Sequence, residues 1–329
     1  MRRTVPAYLT PLALILALLV ACGGGAATTA PQASTAPSTG ASATSASTGT
    51  TSGGTTVTRA ATGAATVTRA APPAATRAAS PGAATPAPRV TGALTIFAAS
   101  SLTDAFNEMK GRIEAANPGT TITFNYAASS ALRTQLEQGA KADLYASADT
   151  VQLDNAIKSG VINGSGSLFV RNTPVIIVPT NNPKGIATPA DLARPGVKLV
   201  LAAPAVPIGN YSRQIIDKMS KDPAYGADFG PKARANVVSE EANVRQVVSK
   251  IQLGEGDAGI VYSSDVTPAV RDQVKIISIP APVNVVAEYP IALVKGGANE
   301  AGARAFIDYL LSAEGQAILQ KWGFLSVSR

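Results

Sequence analysis

The chain has 329 residues, with 28 Lys and Arg against 21 Asp and Glu and a formal net charge of +7. It contains no histidine and a single cysteine, Cys22. These absences exclude a Ser-His-Asp or Cys-His nucleophile, a histidine-ligated metal and a disulfide within one chain. No acidic residue precedes Asp104, whereas Arg2, Arg3, Arg59, Arg69, Arg77 and Arg89 all lie before residue 91, so residues 91–329 carry 22 basic against 21 acidic groups. The positive charge belongs to the leader and tail, which leaves no case for a nucleic-acid partner on the folded part.

Met1-Arg2-Arg3 is a positive start, and Leu12 to Val20 is a continuous apolar run. Nine residues are too few to span a bilayer, which takes ~20, but they suit a secretory signal. Leu19-Val20-Ala21-Cys22 resembles a bacterial lipobox, so residues 1–22 are expected to be a lipoprotein signal peptide with Cys22 lipidated. Residues 23–90 are almost entirely Ala, Thr, Ser, Gly and Pro, with T-V-T-R-A-A repeated at 56–61 and 66–71. With almost no large apolar side chains such a segment cannot offset its ordering entropy, and it is expected to be a disordered tether, either glycosylated or a plain spacer.

From residue 91 the pattern changes. Leu94–Ala98 predicts a strand, and Ser101-x-x-Asp104 predicts a capping box for a helix carrying Leu102, Ala105, Phe106, Met109 and Ile113. Thr121–Tyr126 alternates as a strand. Ala127-Ala128-Ser129-Ser130 then repeats the small-then-serine pattern before a helix with Leu132 and Leu136. Asp143–Ala148 predicts a third strand. Strands alternating with helices argue for a parallel α/β sheet, whose ligands bind at the carboxyl ends of its strands, and both serine pairs lie there. Further strands are predicted at Val175–Val178, Lys198–Ala202, Val237-Val238, Ala258–Tyr262, Val274–Ile279 and Tyr289–Val294. Helices are predicted around Pro189, after Pro207, over Val244–Ile251, and twice at the C-terminal end, where Trp322 and Phe324 would pack on the first part of the chain.

A tetrahedral oxyanion can be held by cations or by many neutral N–H and O–H donors. Helix N-termini supply the second kind ready-made. Near Ser100-Ser101 and Ser129-Ser130 the only basic residue close in sequence is Arg133, one turn into its helix, which points to neutral donors. A serine at a helix start is commonly a plain N-cap, but two such pairs in one context suggest a site.

The segments F-A-A-S-S-L-T-D-A-F (97–106) and A-S-S-A-L-R-T-Q-L-E-Q-G-A-K-A-D-L-Y-A-S-A-D (128–149) resemble bacterial molybdate-binding proteins, the solute-binding components of molybdate ABC transporters. V-P-I-G-N-Y (206–211), N-V-R-Q-V-V (243–248), G-I-V-Y-S-S-D (259–265) and E-Y-P-I-A-L-V (288–294) follow in the family's order. The resemblance implies a two-lobed α/β fold of the periplasmic-binding-protein type II kind, with the ligand in the cleft between lobes. Residues 91–173 and 288–329 would form lobe I, and 174–287 lobe II.

The resemblance also implies the contacts. Ser101 and Ser129 would bind through hydroxyls, with Leu102 offering a backbone N–H. Ile208, where the family often has alanine, and Val244 would bind through backbone N–H groups, and Tyr262 through its phenol. On pattern alone Ile208 reads as loop packing, Val244 as helix core and Tyr262 as a core tyrosine. Glu240 and Glu241 read as structural residues near the Val244 helix, though related tungstate binders place carboxylates on the metal. The function implied is capture of molybdate, and also tungstate, for an ABC permease with its cytoplasmic ATPase. The protein would be an extracytoplasmic, lipid-anchored monomer with no catalysis and no cofactor, and the size of the closed cavity would discriminate against sulfate. Another oxyanion such as sulfate or phosphate is the alternative, followed by an extracytoplasmic enzyme or an adhesin.

Overall fold

The structure, a computed structural model, describes residues 89–327. The expected signal peptide, Cys22 and nearly all of the expected tether lie outside the described residues. Val90, at the end of that tether, is already buried, and its carbonyl accepts a hydrogen bond from Thr120 Oγ1 at 2.8 Å.

The elements in chain order are β1 (Ala93–Ala99), α1 (Thr103–Ala116), β2 (Thr121–Ala127), α2 (Ser129–Glu137), β3 (Leu144–Ala146), α3 (Thr150–Lys158), β4 (Ser167–Asn172) and β5 (Pro174–Pro179). Then come β6 (Leu199–Ala202), α4 (Pro207–Lys221), α5 (Phe229–Ala235), β7 (Val237–Glu241), α6 (Val244–Gln252), β8 (Ala258–Tyr262), α7 (Pro268–Arg271) and β9 (Val274–Ile277). The chain closes with β10 (Ala287–Leu293), α8 (Glu300–Leu311) and α9 (Ala313–Lys321).

Among the described residues these strands form two five-stranded sheets, ordered β2-β1-β3-β10-β4 and β7-β6-β8-β5-β9. In each, three strands run parallel and the other two run antiparallel to their neighbours, so both sheets are mixed. The chain passes from the first sheet to the second across Thr173 and returns between Ile277 and Ala287. Each sheet and its helices make one lobe.

Apart from Thr95, strand β1 is apolar because helices cover both faces of its sheet. Leu94, Ile96 and Ala98 join the cluster of Phe106, Met109 and Phe306 from α1 and α8, whereas Phe97 joins Leu132, Leu136 and Leu153 from α2 and α3. Phe106 meets Phe306 edge to face at 5.6 Å, and burying such a side chain stabilises the fold by roughly 1.5–3 kcal/mol. Trp322 Nε1 donates to Glu108 on α1 at 2.7 Å, and Phe324 packs edge-on to Tyr289 at 5.6 Å.

The expected capping box at Ser101 does not form. Residues Ser100–Leu102 make a single tight helical turn, α1 begins only at Thr103, and no side chain caps it. The reason lies in competing partners: the Ser101 hydroxyl faces Tyr289, and Asp104 faces Arg245. Three elements come from stretches with no strand or helix reading. Strand β4 was hidden by Arg171 and Asn172 at the end of its apolar run. Helices α5 and α7 were hidden by Pro231 and Pro268, which sit in first turns, where the missing N–H costs nothing.

Candidate functional site

The carboxyl ends of all six parallel strands converge on one cavity. Ala99, Ser100 and Ser101 follow β1, Ala127, Ala128 and Ser129 follow β2, and Ala148 follows β3. From the other sheet come Val206, Pro207 and Ile208 after β6, Val244 after β7, and Tyr262 at the end of β8. All five residues expected at the site, Ser101, Ser129, Ile208, Val244 and Tyr262, therefore line the same space. Leu102, the expected amide beside Ser101, is buried but is not among the lining residues. The cavity leaves about 10 Å³ for the centre of a water-sized sphere. That is below the ~300–1,000 Å³ of pockets for drug-sized organic molecules, and it suits a small ion rather than a sugar or peptide.

Each hydroxyl has a distinct setting. Ser129 Oγ accepts the Ala148 N–H at 2.9 Å, so its own proton is left for the cavity. Its position is fixed by the Tyr145 hydroxyl, which donates to the Ser129 carbonyl at 2.8 Å. Ser101 Oγ lies 2.9 Å from Tyr289 Oη, and both residues are buried. Tyr262 is 1% exposed, yet among the described residues its Oη has no hydrogen-bond partner. An unmet buried hydroxyl is costly, and one facing a cavity is a donor awaiting an acceptor. Burial also pushes the Tyr262 phenol well above its ordinary pKa, which keeps its proton in place.

The second lobe adds backbone donors. Val244 is the first residue of α6, and Ile208 is the second of α4, after Pro207. Amides in a helix's first turn have no intrahelical acceptor and sit at the positive end of the helix dipole. Asn243 Oδ1 accepts the Gln246 amide at 3.2 Å, so this side-chain cap is not spent on the amide of Val244, which lines the cavity. Gly209 lets α4 start this close to β6. A Cβ there would lie 2.0 Å from the Ala203 carbonyl oxygen and 2.5 Å from that of Ala202.

No lining side chain is charged. Arg133 is bonded to Glu137 and to Gln152. Arg245, next to Val244, reaches across to Asp104 of the first lobe at 2.5 Å, and its Nε lies 3.1 Å from Asp265. That triad ties α6 to α1 and neutralises the nearest guanidinium. Neither Glu240 nor Glu241 lines the cavity: Glu240 pairs with Arg213, and Glu241 accepts from Ser239 and faces Lys250. Among the described residues no cluster of His, Cys, Asp or Glu could hold a metal ion directly.

One acid stands close by. Asp149 caps α3 by accepting the Gln152 N–H at 2.8 Å, and burial pushes its carboxyl up to about 6. Of the twelve residues that line the cavity, sequence reasoning singled out five, and it missed Tyr289, Asn172 and Arg245 behind the lining. Their signal was available for Tyr289, since a tyrosine inside an aliphatic strand needs a partner for its hydroxyl. A wider groove on the second lobe, beside Tyr225, Phe229, Arg194 and Lys232, lies between α5 and the turn at Pro189–Ala193, where no parallel strand ends.

Comparison with known proteins agrees with this geometry. A family model described as bacterial extracellular solute-binding protein matches residues 94–325. The chain is 41% identical over 244 residues to the molybdate-binding protein ModA of Mycobacterium tuberculosis, covering 74% of this chain and 88% of that protein. Among solved structures it is similar to the sulfate-binding protein SubI of Mycobacterium tuberculosis, with a TM-score of 0.65 and 19% identity over 72% of this chain and 88% of the other. The periplasmic molybdate-binding protein of Azotobacter vinelandii gives a TM-score of 0.60 and 17% identity over 71% of this chain and 100% of the other. At these identities both structures speak for the fold alone.

Proposed function

Since the chain belongs to the bacterial extracellular solute-binding proteins, we propose that it captures molybdate, and tungstate with it, for delivery to an ABC permease driven by a cytoplasmic ATPase. The observation that carries this reading is the donor set of the cavity. The Ser129 proton is left over after its lone pair is used, the Tyr262 hydroxyl has no partner among the described residues, and two helix starts line the same small space.

Such a set suits a dianion without a proton. Each oxygen of molybdate is an acceptor, and hydrogen bonds to charged groups contribute ~1.5–3 kcal/mol each. An oxyanion that keeps a proton, such as hydrogen phosphate, would need an acceptor from the protein, and no carboxylate lines the cavity. Neutral donors also avoid placing a buried cation that would have to be paired in the unliganded protein. The cavity draws on both lobes, so closing one lobe on the other would bury the ion among dipoles and give the permease a distinct closed surface.

In this reading Ser101, Ser129 and Tyr262 bind through hydroxyls, and Ile208 and Val244 through backbone N–H groups. The domain works as a monomer held at the membrane by lipid on Cys22, beyond a tether that keeps it clear of the bilayer. Elemental analysis tests the ligand: protein purified from medium containing molybdate should carry stoichiometric molybdenum. Protein that instead carries sulfate or phosphate under equal supply would refute the assignment. A Cys22→Ser variant should be released from the membrane fraction, and a variant retained there would refute the anchor.

A further inference from the structure

We propose that Asn172 and Tyr289 are positioning residues that set the direction of the Ser101 hydroxyl, so that it offers its proton rather than a lone pair to the bound anion. The proposal rests on the reading of the cavity as an oxyanion site. It follows from tracing donors. The Thr173 backbone N–H can only donate, and it donates to Asn172 Oδ1 at 2.9 Å. Ser263 Oγ lies on the same oxygen at 2.9 Å. The amide is thereby pinned, with its two Nδ2 protons on the other side.

Those protons go to Ser264 Oγ at 2.8 Å and to Tyr289 Oη at 3.3 Å. Tyr289 Oη is therefore an acceptor toward Asn172, and its own proton needs another acceptor. Among the described residues that acceptor is Ser101 Oγ, at 2.9 Å. If Ser101 donated instead, the buried Tyr289 proton would face an N–H donor and have no acceptor, a loss the fold avoids by pointing the chain one way. Burial holds the Tyr289 phenol well above its ordinary pKa, so that proton is always present. Ser101 accepts, and its remaining proton is left for the cavity it lines.

The direction is thus set where the chain crosses between lobes. Asn172 ends β4, Thr173 is the crossing residue, Ser263 and Ser264 follow β8, and Tyr289 lies on β10. Neither Asn172 nor Tyr289 lines the cavity.

The test is a set of calorimetric titrations with sodium molybdate, with thermal melts to verify folding. In Asn172→Asp one carboxylate oxygen keeps the Thr173 N–H, and the other accepts the Tyr289 proton. Tyr289 then takes the proton of Ser101, whose lone pair faces the anion. Affinity should fall about tenfold or more. A buried negative charge could also repel the anion, and the Ser101→Ala background separates the two. Relay action predicts that Asn172→Asp adds no further loss there, whereas charge repulsion predicts the same loss as in the parent.

Wild-type affinity in a folded Asn172→Asp protein, or full additivity with Ser101→Ala, overturns the proposal. If Asn172→Asp does not fold, Tyr289→Phe decides. It should lower molybdate affinity several-fold and narrow the preference over hydrogen phosphate, because Ser101 can then turn its lone pair inward; unchanged affinity and preference overturn the proposal. Wild-type protein that binds no molybdate would refute the cavity reading itself, and so is distinguishable.

Discussion

The two lobes have the same sheet order and bring the carboxyl ends of three parallel strands to one cavity, yet they supply different donors. In the proposed site the first lobe offers the hydroxyls of Ser101 and Ser129. The second offers the amides of Ile208 and Val244 and adds the phenol of Tyr262. In the first lobe the contact depends on which residue stands at the position. In the second it depends mainly on where a helix begins, and the side chain is left free to serve the core. The same kind of substitution should therefore damage different properties in the two lobes.

The largest effect should come from Ile208→Ala. Its side chain is 1% exposed, so truncation should cost ~2–5 kcal/mol of stability in a denaturant titration. Molybdate affinity in the folded variant should change by less than about tenfold, since the amide remains. A collapse of affinity at intact stability would break the comparison. Ser129→Ala should instead strike affinity, weakening molybdate binding in calorimetry by ~1.5–3 kcal/mol. It should also lower the stability of the unliganded protein, because the Ala148 N–H loses its partner.

Tyr262→Phe sharpens the contrast. Binding should weaken, toward the low end of that ~1.5–3 kcal/mol range. The unliganded protein should be no less stable than the parent, because the lost hydroxyl has no partner among the described residues. A marked drop in melting temperature would contradict its assignment as a waiting donor.

The smallest effect concerns pH. Burial raises the Asp149 carboxyl to about 6 in the folded chain, above its ordinary value of 3.8. The folded state therefore binds more protons than the unfolded state between those values, and this group's contribution to stability falls as pH rises through that window. Asp149→Asn keeps a capping oxygen for the Gln152 amide and should flatten stability between pH 4 and 7, as read from melts at each pH. An unaltered slope would remove Asp149 as its source.

Much of the fold was legible because buried strands and amphipathic helices leave periodic apolar patterns. Ala258–Tyr262 and the α1 positions Ala105, Phe106, Met109 and Ile113 are buried as that pattern requires. The serines were legible because the small-then-serine pattern occurs twice at strand ends, where a single serine would read as a plain N-cap. Ile208 and Val244 were not legible as donors, since a backbone amide leaves no mark on residue type, and only the resemblance suggested them. The capping box at Ser101 was a wrong expectation because local spacing cannot register a partner 188 residues away. Arg245 illustrates the same limit: its position beside the apolar stripe of α6 gives no sign that it ties two lobes together.

A cavity lined by neutral donors should select a deprotonated oxyanion of molybdate's size. Titration calorimetry of the wild-type protein with molybdate, tungstate, sulfate and phosphate under identical conditions tests it most directly. One molybdate or tungstate should bind per chain, sulfate should bind much more weakly, and phosphate should give no measurable heat. Tighter binding of sulfate or phosphate than of molybdate would contradict it.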